Sequence, residues 1–280
     1  MRIKAFESLL KSDSRALRYL RKKRYKNGRV SCHGCSCRTI YRLAEGRYRC
    51  SRCRYTFGLF TSTWFGLARI ELGTWLWLIK LFELEVTALQ AAAHTGVSYP
   101  TSLRAFTLIR RAILAQEQPR ILRSEVELDE SYFGGRRKGR RGRGAAGKVP
   151  VFGILERKGK VSVSVIPNVT GKTLLNETVR MVKRGSLVYT DKFRGYDALT
   201  FCGYRHLKVD HGKRFSRGRV HINGLEGFWS YAKGKLYKHH GVSPSKFPLY
   251  LYEMQFRYNH RNADLFDLIL NALLKPVPDL

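Results

Sequence analysis

Acidic residues are scarce in this chain. Of its 280 residues, 21 are Asp or Glu and 53 are Lys or Arg, a formal net charge of +32 and a sequence pI of about 10.4. A field of that size is more than solubility requires, and it makes a polyanion, nucleic acid first, the natural partner. Long apolar runs are also missing. The most apolar window, Leu72 to Leu84, is too short to span a bilayer and carries Lys80 and Glu83. It reads as a buried helix, and no membrane association is expected. The first thirty residues hold no unbroken apolar stretch, so no secretory signal is read there and a cytoplasmic, nucleoid-associated location is expected. Cysteine is rare outside one place: of six, five lie between Cys32 and Cys53. Without a sign of secretion, such a cluster points to a metal site rather than a disulfide framework.

What is present is a globular composition, 44% hydrophobic, with length enough for one to three domains. Residues 1–60 carry 17 Lys and Arg against 3 Asp and Glu. In residues 1–30, Leu9, Leu10, Leu17 and Leu20 recur at roughly helical spacing, so this basic segment reads as one or two short helices. Residues 31–60 hold Cys32-x2-Cys35 and Cys50-x2-Cys53, with 14 residues between the pairs. Each pair can form a tight knuckle around one tetrahedral, structural Zn²⁺. Two strands, Thr39–Leu43 and Arg47–Arg49, are expected around Glu45-Gly46, which gives a zinc ribbon. Cys37 leaves open whether it replaces Cys35 as ligand.

Residues 61–120 read as helical. Thr87–Ala93, a turn with Gly96, and Tyr99–Ala115 with Arg104, Arg110 and Arg111 have helix-turn-helix spacing. That pattern suits a DNA-reading module, with Arg104 a DNA contact, and equally a packing module between two domains.

From residue 121 to 280 strands dominate first. Expected strands are Val126–Phe133, Val149–Glu156, Lys160–Ile166, Leu187–Asp191 and Gly203–Val209, with helices at Thr173–Lys183, Ile222–Leu236, Phe247–Tyr258 and Leu265–Leu274. In the first of these helices Leu174, Val179 and Val182 are expected to share the apolar face. Three hairpin strands followed by alternating elements make a mixed α/β sheet with helices on its faces, an α+β chain overall. Asp129 lies within the first strand, Asp191 ends the fourth, and Glu226 follows on a helix 35 positions later. Three such carboxylates can converge, and converging they suit hard cations, Mg²⁺ or Mn²⁺. Two ions could activate a nucleophile and stabilise a leaving oxygen at a phosphodiester. Glu130 should point to the other side of its strand from Asp129. The basic loop 134–148 contains Arg136, Arg137, Lys138, Arg140, Arg141 and Arg143 with no acid. Beside Asp129, it is expected to grip DNA phosphates.

The chain resembles bacterial insertion-sequence transposases of the DDE superfamily, in the group with an N-terminal zinc ribbon, over nearly its whole length. The residues that carry the likeness are Arg24–Gly28, the two CxxC pairs, Val97-Ser98-Tyr99, Glu127–Gly135, Tyr189-Thr190-Asp191, His221–Ser230 and Phe256–Arg261. The resemblance implies a ribonuclease H-like catalytic domain over 121–280, with Asp129, Asp191 and Glu226 as its acidic triad and two divalent ions per active site. It also implies a base at Lys233, seven residues after Glu226 and on the same helical face. Asn223, one turn before Glu226, is the alternative third ligand. The implied activity is transposition: recognition of the element's terminal inverted repeats, cleavage by water to leave a 3′-hydroxyl, and attack of that hydroxyl on target DNA. Synapsis of two ends implies a homo-oligomer. Two other readings are a metal-dependent nuclease without strand transfer and a catalytically inactive DNA-binding regulator derived from a transposase.

Overall fold

The computed structural model describes residues 1–25, 28–117, 120–134, 147–209 and 221–278. The chain divides into two compact units, Met1–Gln116 together with Asn262–Leu280, and Glu117–Arg261.

The first unit opens with α1 (Ile3–Leu10) and α2 (Asp13–Arg24). Ser12 caps α2 by accepting from the Arg15 N–H, with Asp13 in the first turn and four basic residues in the last. All of this suits the helix dipole. A three-stranded antiparallel sheet follows: β1 (Ile40–Arg42), β2 (Tyr48–Cys50) and β3 (Thr56–Phe57). The sequence suggested only the first two strands. The chain leaving the second cysteine pair folds back on β2, and pairing Tyr48 with Phe57 buries both rings. Next come α3 (Leu72–Glu83), α4 (Ala88–Thr95) and α5 (Tyr99–Gln116). A capping box of Thr87 and Gln90 starts α4, and Gly96, at φ 72°, ends it in the left-handed conformation that glycine tolerates. The turn between α4 and α5 thus has the expected form. One face of α5 is core: Ala105, Phe106, Ile109, Ala112 and Ile113 are buried.

The second unit contains β4 (Glu125–Phe133), β5 (Val149–Glu156), β6 (Val161–Val165), α6 (Gly171–Met181) and β7 (Leu187–Thr190). A 3₁₀ stretch, Arg194–Cys202, leads to β8 (Arg205–Lys208), then α7 (Asn223–Tyr237) and α8 (Phe247–Asn259). The sheet order is β6-β5-β4-β7-β8. β4, β5 and β6 pair antiparallel, whereas β7 is parallel to both β4 and β8. This is the mixed sheet of a ribonuclease H-like fold.

Strand alternation sorts the sheet's two faces. Val126, Leu128, Phe152, Ile154 and Val188 pack with Leu174 and Met181 of α6 and with Tyr196 and Leu199. The buried face of α6 runs Leu174, Thr178 and Met181, while Val179 is 42% exposed. Leu174 and Val182 are thus buried as expected from sequence, and only Val179 departs from the expected face. On the other side of the sheet, Phe133, Val151, Leu155, Val161 and Val163 pack with Leu225, Phe228 and Trp229 of α7 and with Leu251 and Met254 of α8. α8 also covers the β6 edge. Gln255 accepts from the Val163 N–H, and Asn259 both accepts from the Val161 N–H and donates to its carbonyl. Those bonds satisfy an edge that would otherwise be open to pairing.

The last helix, α9 (Leu265–Leu274), belongs to the first unit, not to the 121–280 domain expected from sequence. Its apolar face, Phe266, Ile269, Leu270 and Leu273, is buried, and it packs on α5, α3 and α2. Asp267 accepts from the Tyr19 hydroxyl at 2.6 Å and pairs with Lys23 at 2.5 Å. No helix among the described residues is long and apolar enough to cross a membrane.

Candidate active site

The site is built on the α7 side of the sheet. Asp129 sits in β4 directly opposite Gly153 of β5. β4 pairs in parallel with β7 through Glu127 and Tyr189. Asp191 follows the last residue of β7, near enough for its charge to act on Asp129. β7 stops at Thr190, one residue short of the expected strand, and Asp191 just beyond it accepts from the Phe193 N–H at 2.9 Å, which fixes the turn. Burial, then the charge of Glu130, pushes the Asp129 carboxyl up to about 7, with Asp191 adding to the rise and the Trp229 N–H opposing it. Glu130 itself lies on the far face, as expected, where it accepts from the buried Tyr196 hydroxyl at 2.8 Å.

Glu226 and Asn223 are exposed on the first turn of α7. Leu225, Phe228, Trp229 and Ala232 point inward and set the helix's rotation. Lys233 extends along the same helix with its ammonium 5.6 Å from the Phe133 ring centre. Partial burial lowers its pKa, and the Asp129 carboxylate works against that fall. The structure thus groups Asp129, Asp191 and Lys233 electrostatically. It does not draw Asp129, Asp191 and Glu226 into the close spacing of the ribbon's cysteines: among the described residues, no three carboxylates come that close.

Two features escaped the sequence reading. Trp229 donates its indole N–H to Asp129 Oδ2 at 2.9 Å. Glu127, 1% exposed, accepts from the Leu225 N–H at 2.9 Å and from Arg157 Nε at 3.2 Å, and it lies 3.6 Å from His221 Nδ1. Arg157 also reaches Glu125 at 3.2 Å and the His221 carbonyl at 2.6 Å, and stacks 3.7 Å over the Tyr189 ring. This buried ionic knot ties the N-terminus of α7 to β4. Glu127 shares the face of Asp129 because alternate residues of β4 point the same way, and nothing local named its partners.

In the ribbon, Cys32, Cys35, Cys50 and Cys53 bring their sulfurs within 4.8 Å of one another. Cys32 and Cys53 are 3.5 Å apart and Cys35 and Cys50 3.6 Å. Sulfurs around a tetrahedral Zn²⁺ with ~2.3 Å bonds stand roughly 3.8 Å apart, so the four fit that ion. Burial would raise the Cys32 thiol, but the backbone N–H groups of Cys35 and Gly34 outweigh it and bring it down to about 7. A thiolate is thus close to hand for a metal. Cys37 stands apart, 3.7 Å from the Ser51 hydroxyl, so Cys35 and not Cys37 completes the group.

Arg104 is exposed, with its guanidinium donating to the Leu67 carbonyl at 2.6 Å. Arg110 is 3% exposed and lies over the Phe82 ring, which makes it a core residue. Arg136, Arg137, Lys138, Arg140, Arg141 and Arg143 lie outside the described residues.

Comparison with known proteins agrees with this architecture. Residues 121–259 match the family model described as an ISXO2-like transposase domain, and residues 11–56 match a transposase zinc-ribbon domain. Over 274 residues the chain is 32% identical to an "Uncharacterized protein in transposable element ISH50" from Halobacterium salinarum, covering 88% of this chain and 90% of that one. The chain belongs to the ISXO2-like transposase family. An "Uncharacterized transposase-like protein" of Haemophilus influenzae is 39% identical over 118 residues, 42% of this chain and 96% of its own. Among solved structures, a chain of the Mos1 strand transfer complex aligns with a TM-score of 0.30 at 12% identity, over 74% of this chain and 76% of that one. That score is too low to bear on the fold. For this transposase-family chain the ribbon match begins at residue 11 and so takes in α2 as well as the cysteine module.

Asp129 in β4, held near 7, and Asp191 just beyond β7, whose charges act on each other, suit a divalent cation. Their oxygens are the hard donors that Mg²⁺ and Mn²⁺ prefer, and a cation would remove the cost of ionising Asp129 beside Asp191 and Glu130.

Proposed function

We propose that this transposase-family chain catalyses DNA cleavage and strand transfer at the ends of its own element. The observation that carries the reading is the charge coupling of Asp129 and Asp191, with α7, which carries the exposed Glu226, packed on the face of the sheet that Asp129 occupies. Asp129, Asp191 and Glu226 would hold two Mg²⁺ or Mn²⁺ ions. When bound, such ions supply nucleophile activation and leaving-group stabilisation at a phosphodiester. The protein's own groups position the DNA. Lys233, projecting from α7 near Asp129, contacts a phosphate at the reacting position. The exposed start of α5 and the basic ribbon bind the terminal repeats, and the run Arg136–Arg143 grips the backbone beside the site. Two ends are held by two or more copies of the chain. The ribbon's four cysteines hold one structural Zn²⁺.

The test is an in vitro reaction of purified protein with the DNA that flanks its own gene. Wild type should cleave and join ends in Mg²⁺ or Mn²⁺. Asp191→Asn should bind ends normally and do neither. Glu226→Gln should be inactive and Asn223→Ala only slower; the opposite pattern moves the third ligand to Asn223. Cleavage without joining would make the protein a nuclease. Activity surviving in all three carboxylate variants would overturn the mechanism.

A further inference from the structure

Trp229 is almost wholly buried, yet the one polar atom of its side chain is aimed at a candidate catalytic carboxylate: its N–H meets Asp129 Oδ2 at 2.9 Å. Packing alone does not require that match. The buried indole N–H groups of Trp64 and Trp75, by contrast, meet no protein acceptor among the described residues. The Trp229 ring is held on several sides. Phe133 meets it at 5.9 Å and 68°, and Phe228 at 5.2 Å and 57°. Its far edge fills the space over Gly153, the residue paired with Asp129. A Cβ there would lie 2.5 Å from Trp229 Cζ2 and 2.7 Å from Cη2. Glycine in the middle of a strand weakens it, and here its absence of side chain admits the indole. Meanwhile α7 is tied to β4 separately, through the Leu225 N–H and Glu127, so the indole bond is not needed merely to dock the helix.

We propose that Trp229 is a positioning residue for Asp129, fixing its carboxylate so that the second oxygen, Oδ1, is presented for a divalent cation. The torsion about a carboxylate's final bond is broad when unrestrained. A bond to Oδ2 from a rigid donor narrows it before any ligand arrives. Hydrogen-bond partners behind metal ligands act in this way and typically affect affinity by about 10–100-fold. Gly153 is part of the same device, because it makes the slot that sets the indole's height over the strand. The inference rests on the reading that Asp129 is a cation ligand.

The test is Mn²⁺ binding to the full-length, zinc-loaded protein, followed by electron paramagnetic resonance of free Mn²⁺. Trp229→Phe keeps an aromatic ring and removes the N–H. It should weaken binding about tenfold while leaving affinity for element-end DNA unchanged. Gly153→Ala, which displaces the indole without touching an acid, should weaken Mn²⁺ binding in the same direction. Unchanged Mn²⁺ affinity in Trp229→Phe overturns the proposal. Asp129→Asn distinguishes the two levels of the argument: if it binds Mn²⁺ as tightly as wild type, Asp129 is no ligand and the underlying reading fails first. Should both variants misfold, the wild-type protein still decides. One of its four indole N–H resonances should shift during a Mg²⁺ titration and stay fixed in Asp129→Asn. No such shift overturns the proposal.

Discussion

The raised Asp129 carboxyl makes a thermodynamic prediction that needs no DNA. An aspartate ordinarily titrates at 3.8, and burial and Glu130 hold this one at about 7. Because the folded value is the higher one, Asp129 does not penalise folding below pH 4, where both states are protonated. Stability is then lost as pH rises towards 7, because the unfolded chain releases a proton that the folded chain keeps. The limiting slope is about 1.4 kcal/mol per pH unit, and above pH 7 the loss is complete. Between pH 5 and pH 8 that amounts to at most roughly 3 kcal/mol, and water reaching a half-buried carboxylate brings it nearer 1–2. Asp129→Asn removes the ionisation and keeps an oxygen for the Trp229 N–H. In Mg²⁺-free buffer with zinc retained, urea denaturation should show the variant gaining on wild type by that amount between pH 5 and pH 8. The affected transition is identified by hydrogen exchange in β4. Millimolar Mg²⁺ at pH 8 should close the gap by stabilising wild type alone. A wild-type-to-variant difference that stays constant from pH 5 to pH 8 would refute the argument that Asp129 is held protonated.

Other consequences are equally open to measurement. Glu127→Ala leaves Arg157 and the Leu225 N–H without their buried carboxylate; breaking a buried pair typically costs about 3–5 kcal/mol, here reduced because Glu125 still faces Arg157. Denaturation midpoints check this, and Glu127→Gln should be milder. Deleting residues 262–280 strips α9 from the first unit and exposes its core, so far more hydrogen exchange should appear in α3 and α5 than in β4 and β5. Exchange confined to the second unit would contradict the division of the chain into these units. Cys50→Ser should release zinc, detectable by elemental analysis, and unfold the ribbon while the second unit stays folded. Replacing the six basic residues from Arg136 to Arg143 by Gln should flatten the salt dependence of DNA binding, by about 0.9 in log–log slope for each phosphate that is no longer neutralised. An unchanged slope makes the run a solvated loop.

Much of this protein was legible along the chain. Periodicity placed β5 and α9 with the bounds the structure gives them and most other elements within a residue or two, because alternation and 3.6-residue repeats record which side of a segment is apolar. The paired CxxC spacing marked the four cysteines whose sulfurs the fold brings together, since a knuckle closes within four residues, but only the geometry set Cys37 apart. Asp129 could be singled out by its place within a strand and Asp191 by its place at the end of a β-branched and aromatic run, which forms β7 up to Thr190. What alternation cannot say is which element covers a given face. It marked α9 as amphipathic, but only tertiary packing put that helix on α3 and α5 rather than on the sheet. Glu127 was given no role from the sequence, and only the fold brought Arg157, from beyond the end of β5, to neutralise it and the Leu225 N–H, 98 residues on, to hydrogen-bond it. Trp229 entered the sequence reading only within the His221–Ser230 segment, with no role of its own. Its N–H acquires a role because β4 and α7 meet across a glycine, and a contact made by two elements 100 residues apart in sequence is a property of their packing.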